Sequence, residues 1–345
     1  MKSHNIAIVG ATGYTGSELL RILINHPGVN IHALTSNSNA GKKLTEIHPQ
    51  FNGLLDMELT TIEELEVDKL DLILLALPHG VSMDFVKDAN YSRCKIVDLS
   101  GDFRLDSVGT YESWYGMKHN YPQGIEDSVY GMPELFRDKI RTAQLIANPG
   151  CFPTGSILPL APLAAKKAIK TSGIVVDAKT GVTGAGAKPK LNTHFPNASE
   201  NFSAYGLKKH RHTPEIQDTV SAYSHEEITI TFTPHLLPVN RGILSTIYAD
   251  ADRISSDKEL HDIFTEFYQN EPFIRIVGFP PTLQQVRGTN FCDIYSTYDE
   301  RTNKVIAISV IDNLVKGAAG AAVQNMNLAL GLDETAGLDL MPAMP

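Results

Sequence analysis

Cysteine is scarce in this chain: three in 345 residues, at 94, 151 and 292. That is neither an even disulfide set nor a metal-binding pattern, and such usage fits a reducing compartment. Positive charge is also in deficit. Thirty Lys and Arg stand against 39 Asp and Glu, a net charge of −9, which speaks against nucleic acid or an anionic membrane as the main partner. An anionic small substrate stays open, because local cations can outweigh a global balance. No apolar run approaches the ~20 residues that span a bilayer. Internal repeats and low-complexity linkers are missing, and Met1-Lys2-Ser3-His4-Asn5 leads straight into an apolar run, leaving no room for a signal peptide. The expectation is a cytoplasmic protein. What is present, 42% hydrophobic and 20% charged residues, is globular composition, and the length calls for two domains.

The first half reads as alternating strands and helices. Ile6 to Val9 is a β-branched and apolar run, followed by Gly10-Ala11-Thr12-Gly13-Tyr14-Thr15-Gly16 and an amphipathic stretch through Leu23. Strand, glycine-rich turn and helix form the context of a dinucleotide fingerprint. The spacing G-x-x-G-x-x-G departs from G-x-G-x-x-G but still lets the backbone approach a pyrophosphate at a helix N-terminus. After a second strand, Val29 to Leu34, the position where NAD-binding folds carry an acid holds Ser36, with Lys42 and Lys43 nearby. Hydroxyls and lysines suit a 2′-phosphate, which favours NADP(H). Leu70 to Leu77 reads as a strand buried on both faces, Val81 to Ala89 as a helix, and Lys95 to Leu99 as a further strand. Pro78, His79 and Ser100 follow strand ends, where open α/β sheets bind ligands; His79 is equally a plain turn residue. Tyr111 to Tyr130 has no period and reads as a long surface excursion.

At the centre lies Asn148-Pro149-Gly150-Cys151-Phe152-Pro153-Thr154, between a strand end and an apolar stretch from Ile157 to Ala168. A Cys at such a helix start meets unpaired amides and a positive dipole end, which favour thiolate and would hold an oxyanion. A small buried hydrophobe is the plain alternative. Pro159 and Pro162 fit a helix interior poorly, which leaves its start open. Beyond it come strands at Gly173 to Lys179, Glu227 to Pro234, Gly242 to Ala249, Phe291 to Tyr298 and Val305 to Ile311. Residues 188–212 read as a polar loop ending in Lys208-Lys209-His210-Arg211-His212. A helix then opens with Thr213 as N-cap, Pro214 at N1 and Glu215 in the first turn. Ser255 to Gln269 is an amphipathic helix. Asp312 onward opens a small-residue helix to about Leu330.

The expected fold is thus α/β: a Rossmann dinucleotide-binding domain over residues 1–148, with the C-terminal segment 313–345 packing back on it. An α+β catalytic and oligomerisation domain with a mostly antiparallel sheet takes residues 149–312. A nucleotide cradle, a Cys at the domain junction and a His-rich basic segment together point to acyl chemistry. A thiolate attacks an activated acyl group, the leaving group departs, and hydride reduces the thioester. His serves proton transfer near neutrality; His210 and His212 are the candidates, against the plain reading of a solvated basic loop. A metal site there is not expected, for want of a third ligand.

G-A-T-G-Y-T-G at 10–16, N-P-G-C-F-P-T at 148–154 and H-R-H-T-P-E-I at 210–216 resemble the N-acetyl-γ-glutamyl-phosphate reductases. Supporting stretches are L-P-H-G at 77–80, D-L-S-G-D-F-R at 98–104, G-V-T-G-A-G at 181–186 and P-V-N-R-G at 238–242. The resemblance covers essentially the whole chain. It implies NADPH-dependent reduction of N-acetyl-γ-glutamyl phosphate to N-acetylglutamate semialdehyde, with phosphate released, in arginine biosynthesis, by a homotetramer or dimer. It implies Cys151 as nucleophile and an acid/base within His210-Arg211-His212, with His212 preferred. The cofactor residues it implies are Gly10, Thr12, Gly13, Tyr14, Thr15, Gly16, Ser36, Pro78, Ser100, Gly181 and Asn313. Arg104, Arg211, Lys208 and Arg241 are the candidates for the substrate's carboxylate and phosphate. Alternative readings are a lysine-pathway homologue, an aspartate-semialdehyde dehydrogenase, and a non-catalytic NADP sensor.

Overall fold

The computed structural model describes residues 3–89 and 94–343. The chain divides into two compact units, Met1–Pro149 with Ala318–Leu340, and Gly150–Gly317 with Met341–Pro345. Of the expected C-terminal segment, residues 344–345 lie outside the described range.

In the first unit, β1 (His4–Val9), β2 (Val29–Thr35), β3 (Leu72–Leu75), β4 (Lys95–Asp98), β5 (Ser128–Tyr130) and β6 (Leu145–Ala147) form one sheet in the order β2-β1-β3-β4-β6-β5. Every junction is parallel. A parallel sheet has to be covered on both faces, and all four residues of β3 are buried. On one face Ala7, Val9, Ile73, Leu75 and Ile96 join Met83, Val86, Phe103 and Tyr111 in a single core. The expected surface excursion is corrected here. Residues 111–130 contribute the helices Val108–Tyr115 and Pro122–Asp127 and the edge strand β5, and Tyr111 is fully buried. Tyr111 stacks on Tyr115 with ring centroids 4.4 Å apart and meets His119 edge-on. These helices are too short to show a period, so aromatic packing decided what the pattern could not.

The C-terminal segment starts as a π-helical turn, Val315–Ala319, and continues as the helix Gly320–Ala329. Asn325 on that helix donates to the carbonyl of Gly131 at 2.8 Å and to the side-chain oxygen of Asn148 at 3.0 Å. Only residues 318–340 belong to the first unit, against the expected 313–345. Ala343 instead pairs with Arg287 of the second unit: its N–H donates to the Arg287 carbonyl at 2.8 Å, and the Arg287 guanidinium donates back to the Ala343 carbonyl at 2.7 Å.

In the second unit β7 (Ile174–Thr180), β8 (Ser203–Ala204), β9 (Ile230–Leu236), β10 (Ile243–Asp250), β11 (Ile274–Ile276), β12 (Cys292–Asp299) and β13 (Lys304–Ile311) take the order β11-β12-β13-β10-β7-β9-β8. Junctions β7/β9 and β11/β12 are parallel and the other four antiparallel. Helices Cys151–Ala165, His212–Ser224 and Asp257–Phe267 pack against this sheet. The last is capped by Ser256, which accepts the Glu259 amide.

The helix Cys151–Ala165 runs unbroken through Pro159 and Pro162. A helical proline orphans the carbonyl four residues before it, here those of Gly155 and Leu158. Ser309 on β13 donates its hydroxyl to the Gly155 carbonyl, and Tyr268 donates to the Leu158 carbonyl at 2.5 Å. Tertiary side chains thus replace the two lost bonds within the helix that Cys151 begins.

Candidate active site

In the first unit the turn after β1 has the shape of a dinucleotide cradle. Gly10 sits at φ +89, and a Cβ there would meet the Ala76 carbonyl at 2.5 Å. A Cβ on Gly16 would lie 2.5 Å from the Gly10 carbonyl, so this glycine lets helix Tyr14–Leu23 press on the turn. Gly13 differs. The nearest atom to its would-be Cβ is 3.9 Å away, so the N-cap of that helix presents bare backbone, the form a pyrophosphate approaches. These three positions fit a dinucleotide.

Thr12 and Ser36 join their hydroxyls at 2.9 Å, and Asn39 donates to Ser36 at 3.3 Å, which fixes the end of β2 beside the glycines. Tyr14 is exposed and Thr15 half-buried in the same turn. Lys43 pairs with Asp56 at 3.1 Å, and Lys42 and Lys43 are both exposed on that edge. Pro78 is exposed at the end of β3. Ser100 is not: it is 1% exposed, its hydroxyl donates to Asp98 at 2.6 Å, and it accepts the Asp102 amide. A direct side-chain contact to a cofactor is therefore replaced by an internal role.

In the second unit Cys151 is the first residue of its helix, with Gly150 as extended N-cap. The Gly150 amide donates to Glu215 at 2.8 Å, and Glu215 is fully buried. Position 153 is a proline with no amide, so the anion-stabilising capacity of this turn rests on the amides of Cys151 and Phe152. Gly317 in the π-helical turn packs against the nucleophile candidate: a Cβ there would stand 2.9 Å from the Cys151 Cβ.

His210 and His212 lie beside that helix start, their rings 4.8 Å apart and both edge-on to Phe152. The His210 Nδ1 accepts the His212 backbone amide at 3.2 Å, so the neutral ring carries its proton on Nε2. Burial, and then the Arg211 cation, lower the His210 pKa to about 4, so this ring is uncharged at neutral pH. His212 is buried in the first turn of helix His212–Ser224. That helix begins two residues earlier than expected, with Arg211 and not Thr213 at its N-cap; the shift brings His212 and Glu215 one turn apart on one face. Tyr205 closes the group. It is edge-on to His210, and burial and the neighbouring Cys151 raise its pKa.

The cations sort differently from expectation. Arg104 is buried in the first unit and donates to the carbonyls of Asn148 at 2.7 Å and Leu99 at 2.8 Å. It braces the loop before the Cys, a structural task that its sequence position hid. Arg241 pairs with fully buried Asp312 at 3.1 Å, which also takes the amides of Gly288, Leu314 and Val315. Asn313 accepts the Gly242 amide at 2.7 Å and donates to Thr183 at 3.0 Å. The loop that follows Gly181 is therefore fastened to Asn240, whose carbonyl accepts the Thr183 hydroxyl at 2.6 Å, and to Asn313. Arg211, Lys208 and Lys209 are exposed. Glu215, Tyr205 and Gly317 escaped the sequence reading; only Glu215 left a trace there, as a first-turn acid.

Two family models match the chain: "Semialdehyde dehydrogenase, NAD binding domain" over residues 5–143 and "Semialdehyde dehydrogenase, dimerisation domain" over residues 151–313. Among curated proteins, the N-acetyl-gamma-glutamyl-phosphate reductase of Pelotomaculum thermopropionicum is 47% identical over 339 residues, covering 96% of this chain and 97% of that protein. That of Methanococcus maripaludis is also 47% identical over 339 residues, covering 97% and 98%. Among solved structures, aspartate semialdehyde dehydrogenase II of Vibrio cholerae, complexed with ASA, superposes with a TM-score of 0.74 at 19% identity, over 96% of this chain and 99% of that one. The enzyme of Candida albicans with NADP gives 0.67 at 16% identity, over 95% and 98%. At such identity the structures share the fold.

Proposed function

The chain belongs to the N-acetyl-gamma-glutamyl-phosphate reductase family of semialdehyde dehydrogenases, and from that premise we propose that it reduces N-acetyl-γ-glutamyl phosphate to N-acetylglutamate 5-semialdehyde with release of phosphate, in arginine biosynthesis. The observation that carries this is Cys151 at the start of a buried helix, with Glu215 on the preceding amide and two histidines beside it. The Cys151 thiolate attacks the acyl carbon, the C–O bond to phosphate breaks, and a thioester remains. When bound, NADPH supplies the hydride that takes this thioester to the aldehyde as the thiolate leaves. The amides of Cys151 and Phe152 hold the oxyanion. His212 moves the proton, because His210 is held neutral with its Nδ1 engaged.

Preference for NADP over NAD is supported by Ser36 and Lys42 beside the cradle, where a carboxylate would repel a 2′-phosphate. Arg211 and Lys208 are assigned to the substrate's anionic groups. Self-association through residues 151–313, to a homotetramer, is the assembly we expect. The test is phosphate-dependent reduction of NADP by N-acetylglutamate semialdehyde, wild type beside Cys151→Ser. Turnover is expected in the wild type and lost in the variant, with NADP binding retained. Turnover surviving in Cys151→Ser would overturn the thioester route.

A further inference from the structure

The helix Val81–Asp88 starts without a cap of its own. Its N-cap is Gly80, at φ +85, with no side chain to accept the first amides. A carboxylate from the turn after β4 takes that place. Fully buried Asp102 accepts the Gly80 amide through both oxygens, at 2.9 and 3.1 Å, and the Met83 amide at 3.0 Å. The Tyr111 hydroxyl donates to the same group at 2.7 Å. This is N-capping from a distant segment, with negative charge at a helix N-terminus.

The same two turns are joined twice more. The Gly101 amide donates to the His79 Nδ1 at 2.7 Å. Ser82 donates its hydroxyl to Asp98, which also accepts the Ser100 amide at 3.0 Å. A Cβ at position 101 would overlap the Tyr115 hydroxyl, so a side chain there requires the Tyr115 ring to move. The turn after β3 abuts the glycine cradle: the would-be Cβ of Gly10 lies 2.5 Å from the Ala76 carbonyl and 3.5 Å from the Leu77 side chain. Two buried carboxylates in one corner are costly unless their geometry serves something.

We infer that Asp102 is a positioning residue for the cofactor, fixing the Pro78-His79-Gly80 turn against the glycine cradle so that the dinucleotide finds a preformed wall. The inference rests on the reductase reading above, and its test separates the two. Asp102→Asn keeps the volume but puts an amide NH2 where one acceptor oxygen stood. NADPH affinity is read by fluorescence titration. Thioester formation is read without cofactor, as the phosphate burst from N-acetyl-γ-glutamyl phosphate. The variant is expected to raise the NADPH Kd about tenfold or more and the KM for NADPH with it. The burst, and kcat at saturating NADPH, should move far less, which a general loosening of the fold would not produce. An unchanged Kd, or a burst lost in step with affinity, overturns the inference. Should Asp102→Asn fail to fold, Tyr111→Phe decides, since it loosens the carboxylate without removing it. A Kd raised about threefold supports the inference and an unchanged one overturns it. A wild type without a phosphate burst sinks the reductase reading, while the NADPH titration still judges Asp102.

Discussion

The two histidines show how a single backbone hydrogen bond separates residues of one type. With Nδ1 engaged and the ring buried, His210 stays neutral, and in the proposed mechanism it serves as wall and orienter. His212→Asn is therefore expected to lower kcat by about 100-fold or more, in the range of a lost general acid/base, and His210→Asn by about tenfold. Steady-state rates check this, and equal losses in the two variants would contradict it. Asp98 offers a second residue-scale test. Burial, and then the adjacent Asp102, push its carboxyl up to about 6 from 3.8, against the donors Ser82 and Ser100. A raised pKa in the fold favours the protonated form. Its stabilising contribution is complete below about 3.8 and is lost as pH rises through about 6. Compared with Asp98→Asn, the wild type should lose a few degrees of melting temperature between those values, about 2–4 °C per kcal/mol for a unit of this size. Melting curves that stay parallel would contradict it.

At the scale of elements, the helix Cys151–Ala165 is the most demanding piece of the chain. It carries two interior prolines and the proposed nucleophile at its first position, and Ser309 and Tyr268 satisfy the carbonyls of Gly155 and Leu158. Tyr268→Phe should cost about 1–3 kcal/mol, the penalty of a buried acceptor left unmade, readable by urea denaturation. The π-helical turn Val315–Ala319 is the other pressure point. Gly317→Ala places a methyl against Cys151, and a displacement of about 1 Å at the thiol is worth about 100-fold in kcat. Retained activity in that variant would show that the turn yields instead. From the sequence the π-turn, the short helices Val108–Tyr115 and Pro122–Asp127 and the strands β5, β8 and β11 were illegible, because each is too short for a period to register. The long elements, β1, β2, β7, β10, β12 and β13, were legible within a residue or two.

For the whole molecule, the chain crosses between its two units after Pro149, after Gly317 and after Leu340. The match to a dimerisation domain over residues 151–313 bears on assembly. Light scattering is expected to give about four times the 37.7 kDa protomer mass for the tetramer we propose; a protomer-sized particle would reject self-association. Among the described residues no helix is long and apolar enough to cross a membrane.

The local pattern by itself determined the glycine turn, the parallel sheet and the mostly antiparallel one, the Cys at a helix start and the paired histidines. Each depends on neighbours in sequence: a turn that only glycine makes, a period of two or of 3.6, a helix N-terminus. The parallel junctions β7/β9 and β11/β12 came only with the fold. Tertiary structure alone decided what each polar group is used for. Arg104 and Arg241 look like free cations in a sequence, yet the fold spends them on the carbonyls of Leu99 and Asn148 and on Asp312. Glu215 and Asp102 look like ordinary acids, yet they receive amides from segments 65 and 22 residues away. A buried donor or acceptor must find a partner, and only the folded chain says which.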